Sequence, residues 1–218
     1  MYRHGMVRRL PLLLAALCVA ATHAGTPTVS GTVVTMDGAA VADAVVFVQV
    51  SAAAADTARR EQIVDQINKT FVPGLLPIVV GTSVRFPNHD QIHHHVYSFS
   101  PAKTFELPLY KGEDAPAVLF DKVGVVKIGC NIHDWMSGII LVLPTPHFAV
   151  TDSAGHFVLE DMPGGSYTLV AWHALSKLRP EDTAQSVQLD GQVRDVNFRL
   201  PLAPARPRPA MHGSRVEP

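Results

Sequence analysis

Cysteine is scarce in this 218-residue chain: there are two, Cys18 and Cys130. Positive charge is not in excess either, with 18 Lys and Arg against 19 Asp and Glu and a formal net charge of −1. A face that neutralises phosphates needs a basic surplus, so nucleic-acid binding is excluded as a role. Beyond the first two dozen residues no apolar run approaches the roughly 20 residues of a membrane-spanning helix. Helical periodicity is also nearly missing.

The one long apolar run, 10–21, follows Arg3, Arg8 and Arg9 and leads into Ala21-Thr22-His23-Ala24. A basic start, a short apolar stretch and small residues make a secretory signal peptide, with cleavage expected after Ala24. Cys18 leaves with it, because Leu17 is too bulky for a lipoprotein processing site. Lys and Arg then fall to 15 against 19 acids, a formal charge of −4. The exported chain keeps a single cysteine, Cys130. A lone thiol builds no internal disulfide framework and calls for another explanation.

What remains reads almost wholly as strand. Alternating or β-branched runs fall at 28–35, 44–50, 78–86, 94–99, 117–120, 124–128, 139–143, 156–159, 167–172 and 193–200. Gly, Pro, Asn and Asp punctuate them at hairpin-like intervals, which predicts an all-β sandwich or barrel architecture. The one candidate helix is 52–66, Ala-rich with Arg59, Arg60 and Glu61, and it reads equally as a connection. The end, 201–218, has five prolines and three arginines without apolar period and reads as a disordered tail. The expected organisation is a signal peptide at 1–24, N-terminal strands at 25–58, one unit at 59–146 and another at 147–200.

The chemistry concentrates in Cys130-Asn131-Ile132-His133-Asp134-Trp135-Met136, a C-x2-H-x2-M run directly after an apolar strand. A thiolate, an imidazole and a thioether form a soft donor set that favours copper, and a second imidazole would complete a His2Cys site with an axial Met. Zinc sites draw on Cys, His and carboxylates rather than Met. Asp134 directly follows His133 and reads as a solvated loop residue. Each residue also has a plainer role: Cys130 as a small buried hydrophobe, Met136 as a core gap-filler, Trp135 as filling for the end of the core rather than a shield for the metal.

The second imidazole is offered by His93-His94-His95. Strand alternation puts His93 and His95 on one face and His94 on the other, so the ligand is His94 or comes from the His93/His95 pair. The three-histidine run could also hold a second metal. Enzymatic chemistry finds no support: there is no carboxylate pair, Gly-rich phosphate loop or serine elbow. A Cys130–His133 nucleophile and base would normally meet from separate parts of a fold. The chain is therefore expected not to be an enzyme.

Residues 60–146 resemble the cupredoxins, the blue-copper family of plastocyanin and amicyanin. The likeness runs through Phe71-Val72-Pro73, Val80-Gly81-Thr82-Ser83-Val84-Arg85-Phe86-Pro87-Asn88, the histidine run, Phe120-Asp121-Lys122-Val123-Gly124 and Gly129-Cys130-Asn131-Ile132-His133 with Met136. The C-x2-H-x2-M spacing is similar to that of amicyanin, and the whole chain resembles methylamine-utilisation or plastocyanin-like proteins. The resemblance implies a Greek-key β-sandwich and one type 1 copper ion held by His94, Cys130, His133 and Met136. It also implies one-electron exchange with a partner such as a cytochrome or dehydrogenase, in the periplasm. In that family the first histidine is followed by Asn; here His95 stands in that place, with Asn131 and Trp135 as further neighbours of the metal. Thr151-Asp152, Gly155, Pro163-Gly164 and Tyr167 resemble carboxypeptidase-regulatory-like, transthyretin-type sandwiches. Such domains normally begin with a pattern like Val29-Ser30-Gly31-Thr32-Val33, so 28–50 is expected to pair with 147–200 around an inserted copper unit. Two other roles are compatible with these features: a copper store or delivery protein without electron traffic, and a structural β-sandwich with a vestigial site.

Overall fold

The computed structural model describes residues 28–50, 60–112, 116–190 and 194–204. The expected signal peptide and most of the tail lie outside the described residues. The chain begins with β1 (Val29–Thr35) and β2 (Val45–Val48). Ten strands follow: β3 (Glu61–Ile63), β4 (Asp65–Ile67), β5 (Thr70–Val72), β6 (Leu75–Val79) and β7 (Thr82–Arg85), then β8 (His94–Ser100), β9 (Lys103–Tyr110), β10 (Val118–Phe120), β11 (Gly124–Gly129) and β12 (Ser137–Leu143). Six more complete it: β13 (Phe148–Val150), β14 (His156–Leu159), β15 (Gly165–Trp172), β16 (Gln185–Leu189), β17 (Arg194–Asp195) and β18 (Phe198–Leu200).

The middle strands make one sandwich. A five-stranded sheet in the order β6-β12-β11-β8-β9 faces a three-stranded sheet β10-β7-β3, with the β4–β5 hairpin beside them. Their inward residues, among them Phe71, Ile78, Phe86, Val96, Phe120, Val126 and Ile140, form one buried cluster that includes Cys130 and Met136. The outer strands make a second sandwich. β1 pairs with β14, β17 and β18, while β2 joins β13 and β15 in a sheet that β16 extends. Strands from 28–50 thus hydrogen-bond to strands from 148–200, and the middle sandwich lies between them in sequence. Gly31 permits the crossing at β1: a Cβ there would sit 1.8 Å from the Val196 carbonyl oxygen.

The two sandwiches share a third apolar cluster. Val45, Phe47, Val170 and Trp172 from one pack with Leu141 and Leu143 from the other, and Leu75, Val125, Ile139 and Phe148 border them. This explains why several strands read as unbroken apolar runs instead of alternating ones. Along β12, Ile140 and Val142 enter the core of the middle sandwich while Leu141 and Leu143 enter the shared cluster. In β2, Val46 and Val48 face the second core and Val45 and Phe47 the shared one. A strand apolar on both sides is one buried on both sides.

Several expectations need correction. The run 52–66 is not a helix where it is described: 61–63 and 65–67 are strands, and 51–59 lie outside the described residues. The run 78–86 is two strands, because Gly81 adopts a left-handed turn (φ 90°) between β6 and β7. The tail does not begin at 201. Leu202 bridges Ser176, and the Ala203 amide donates to the Leu175 carbonyl at 2.9 Å. β9 escaped notice because Pro108 interrupts its pattern. The structure places it on the sheet edge, where a register shift opposite His95 accommodates the proline.

Truncating Leu141, which is 4 % exposed within the shared cluster, leaves a cavity between the sandwiches. Leu141→Ala should cost about 2–5 kcal/mol in a denaturant melt. A loss within a few tenths of a kcal/mol of zero would contradict the packing described here.

Candidate metal centre

The ligand loop is set by a hairpin. β11 and β12 run antiparallel with Gly129 opposite Ser137, so residues 130–136 form their connection. The loop is pinned by its own backbone: the Cys130 amide donates to the Met136 carbonyl at 3.1 Å, and the Met136 amide to the His133 carbonyl at 2.9 Å. β8 runs antiparallel to β11 with Tyr97 opposite Gly129, which brings the start of β8, where His94 lies, to the same end of the sheet. The approach is close at Gly129, where a Cβ would stand 3.2 Å from the Tyr97 ring.

His94, Cys130 and His133 converge, with their ligand atoms all within 4.8 Å of one another. Cys130 Sγ lies 3.8 Å from His94 Nδ1 and 3.6 Å from His133 Nδ1. An ion about 2.0–2.3 Å from nitrogen and thiolate donors would hold such pairs about 3.4–3.8 Å apart. Both sulfur–nitrogen spacings therefore fit a shared metal ion. His94 is fully buried and Cys130 is 3 % exposed. Met136, 2 % exposed, belongs to the same buried cluster as Cys130. Among the described residues this is the one group of three His, Cys or acidic ligands so placed.

The remaining candidates lie elsewhere. His93 is exposed. His95 points to the opposite face of β8 from His94, where its Nε2 meets Glu106 Oε1 at 2.8 Å and its ring lies tilted 5.6 Å from that of Tyr97. It does not hold the ligand loop, so the role expected of it in the family's Asn place is not performed. Strand alternation explains why: the residue after the ligand lies on the other face of the sheet. Asn131 is exposed. Trp135 is 38 % exposed and its ring lies 5.5 Å from that of His133, so it covers a ligand at the surface and does not fill the core end.

Two further residues shape the site. Asp90 Oδ2 lies 2.6 Å from His94 Nε2. Asn88 holds the segment that carries Asp90, donating from Nδ2 to the Ile92 and Tyr110 carbonyls at 3.0 and 2.9 Å and accepting the Asp90 amide at 3.0 Å. The signal available in the sequence was the i, i+4 spacing of Asp90 and His94, ambiguous while the register of the histidine run was open. His133 is held below the usual histidine pKa, first by burial and then by the His94 and Lys69 charges. A neutral imidazole is the form that ligates.

No family model and no curated protein matches the chain. Solved structures resemble part of it. A copper-containing nitrite reductase from Thermus scotoductus SA-01 is 27 % identical over 39 % of this chain, at a TM-score of 0.37, and the match spans 23 % of the reductase. A purple cupredoxin from Nitrosopumilus maritimus is 29 % identical, with 38 % of this chain and 99 % of its own length matched at a TM-score of 0.34. A point mutant of amicyanin in its Cu(I) form is 24 % identical over 46 % of this chain and 99 % of its own, at 0.35. Residues 60–143 form a β-sandwich with a buried His-Cys-His cluster at one end, the candidate metal centre.

Proposed function

We propose that the chain is an exported copper protein that carries single electrons, and that it is not an enzyme. The observation that carries this reading is the buried cluster of His94, Cys130 and His133, whose donor spacing already suits one ion. Copper bound by a thiolate, two imidazoles and a weak thioether accepts and releases one electron with little change in geometry. The residues divide that task. Cys130 would supply the thiolate, His94 and His133 would ligate through Nδ1, and Met136, in the same loop, would offer a thioether. Core packing and the loop's backbone bonds hold these groups in place, which limits rearrangement as charge changes.

His133 is the partly exposed ligand, and Trp135 and Ile132 (48 % exposed) flank it in the loop. This apolar rim is the exchange surface for a redox partner such as a cytochrome or dehydrogenase. The Arg-led apolar N-terminus directs the chain to the periplasm. A second reading, a copper store or delivery protein, is favoured by the sandwich fused through the shared apolar cluster, which would serve as its docking module.

Two measurements test the proposal. His94→Ala should abolish the visible thiolate-to-Cu(II) absorption while His93→Ala leaves it nearly intact; the reverse would overturn the ligand assignment. In cyclic voltammetry the copper-loaded protein should show fast, reversible one-electron behaviour. A colourless protein that holds only Cu(I) would support storage and end the carrier reading.

A further inference from the structure

The β4–β5 hairpin turns on Asn68 and Lys69, both left-handed at φ 53° and 57°. Two successive positive φ angles suit a two-residue hairpin turn. Here the turn serves Asp90. The Asn68 amide donates to Asp90 Oδ1 at 2.6 Å, and the Lys69 amide to Oδ2 at 2.7 Å. Successive backbone amides directed at one carboxylate make an anion cradle. The same Oδ2 receives His94 Nε2 at 2.6 Å, in a pair whose side chains are 12 % and 0 % exposed. Asn88 fixes the approach of this segment from the other side.

The consequence is geometric. With the carboxylate ionised, Nε2 of His94 carries the proton and donates it, leaving the Nδ1 lone pair toward Cys130 Sγ, 3.8 Å away. A fixed negative charge thus sits one imidazole ring from the metal position. A carboxylate on the far nitrogen of a ligating histidine fixes its tautomer and makes it a stronger donor.

We infer that Asp90 is the positioning residue of this metal centre: cradled by the Asn68–Lys69 turn, it orients His94 and biases the site toward the more highly charged Cu(II). The inference rests on the copper reading above and adds the residue that tunes it. His133 differs, being partly exposed and bordered by Trp135. The two imidazoles are therefore unequal, one locked from behind and one at the surface.

Asp90→Asn tests this, since the amide can still accept the His94 hydrogen bond but carries no charge. The variant should keep its visible thiolate band while Cu(II) affinity falls about 10–100-fold. The affinity for Cu(II) relative to Cu(I) should fall about tenfold, an upward shift of about 59 mV for a one-electron couple. A variant whose potential and Cu(II) affinity stay within about twofold of the parent values overturns the inference; so does one that only melts earlier as apoprotein. If the parent protein itself shows no thiolate-to-copper band, the copper reading fails instead. A measurement independent of the variant's folding is histidine 15N–1H NMR of the Cu(I)-loaded parent. His94 should show a slowly exchanging Nε2 proton. A proton on Nδ1, or an Nε2 proton lost to solvent as fast as that of His133, overturns the assignment.

Discussion

Strand β12 lies between two cores. Its Ile140 and Val142 pack into the sandwich that holds the metal centre, while Leu141 and Leu143 pack against Val45, Phe47, Val170 and Trp172 of the other. The same strand pairs in parallel with β6 and antiparallel with β11, and the β11–β12 connection is the ligand loop itself. Burial on both faces leaves β12 no freedom to slip, because a one-residue shift would exchange the residues that each core receives. The position of Met136, the residue before the strand, and the closure of the loop onto Cys130 follow from that fixed register.

The metal centre is built on the opposite logic. It places polar and ionisable groups where apolar packing excludes water, so each must find a partner. His94 finds Asp90, and Asp90 finds two turn amides. Cys130 and the Nδ1 atoms of the two histidines face one another, where a metal ion would satisfy them together. A site arranged this way costs little reorganisation on binding, as the proposed electron carrier requires. The second sandwich, joined through the shared cluster, gives this centre a broader rigid support than a single small sandwich would.

Much of this was legible in the chain. The C-x2-H-x2-M run marks the loop, and alternation sets His94 on one face and His93 and His95 on the other, while the choice of His94 comes from the family resemblance. The apolar run 139–143 was visible as a strand, but its unbroken character was the sign of a second buried face and of the contact between sandwiches. Asp90 and Asn88 were hidden for a different reason. Asp90 depends on a hairpin turn some twenty residues earlier and Asn88 on the Tyr110 carbonyl twenty-two residues later, and no local pattern links such distant partners. β9 was hidden by Pro108, whose rule against central strands says nothing against an edge strand with a bulge. Trp135 was assigned to the core by the general behaviour of aromatics, whereas the short ligand loop carries it outside, against His133.

The central claim is that His94, Cys130 and His133 are a preformed site for one copper ion. X-ray absorption spectroscopy of the copper-loaded protein in both oxidation states tests it most directly. The account predicts one short sulfur and two imidazole nitrogens around the metal, nearly unchanged between Cu(II) and Cu(I). A first shell of nitrogen and oxygen alone, without the Cys130 sulfur, would contradict it.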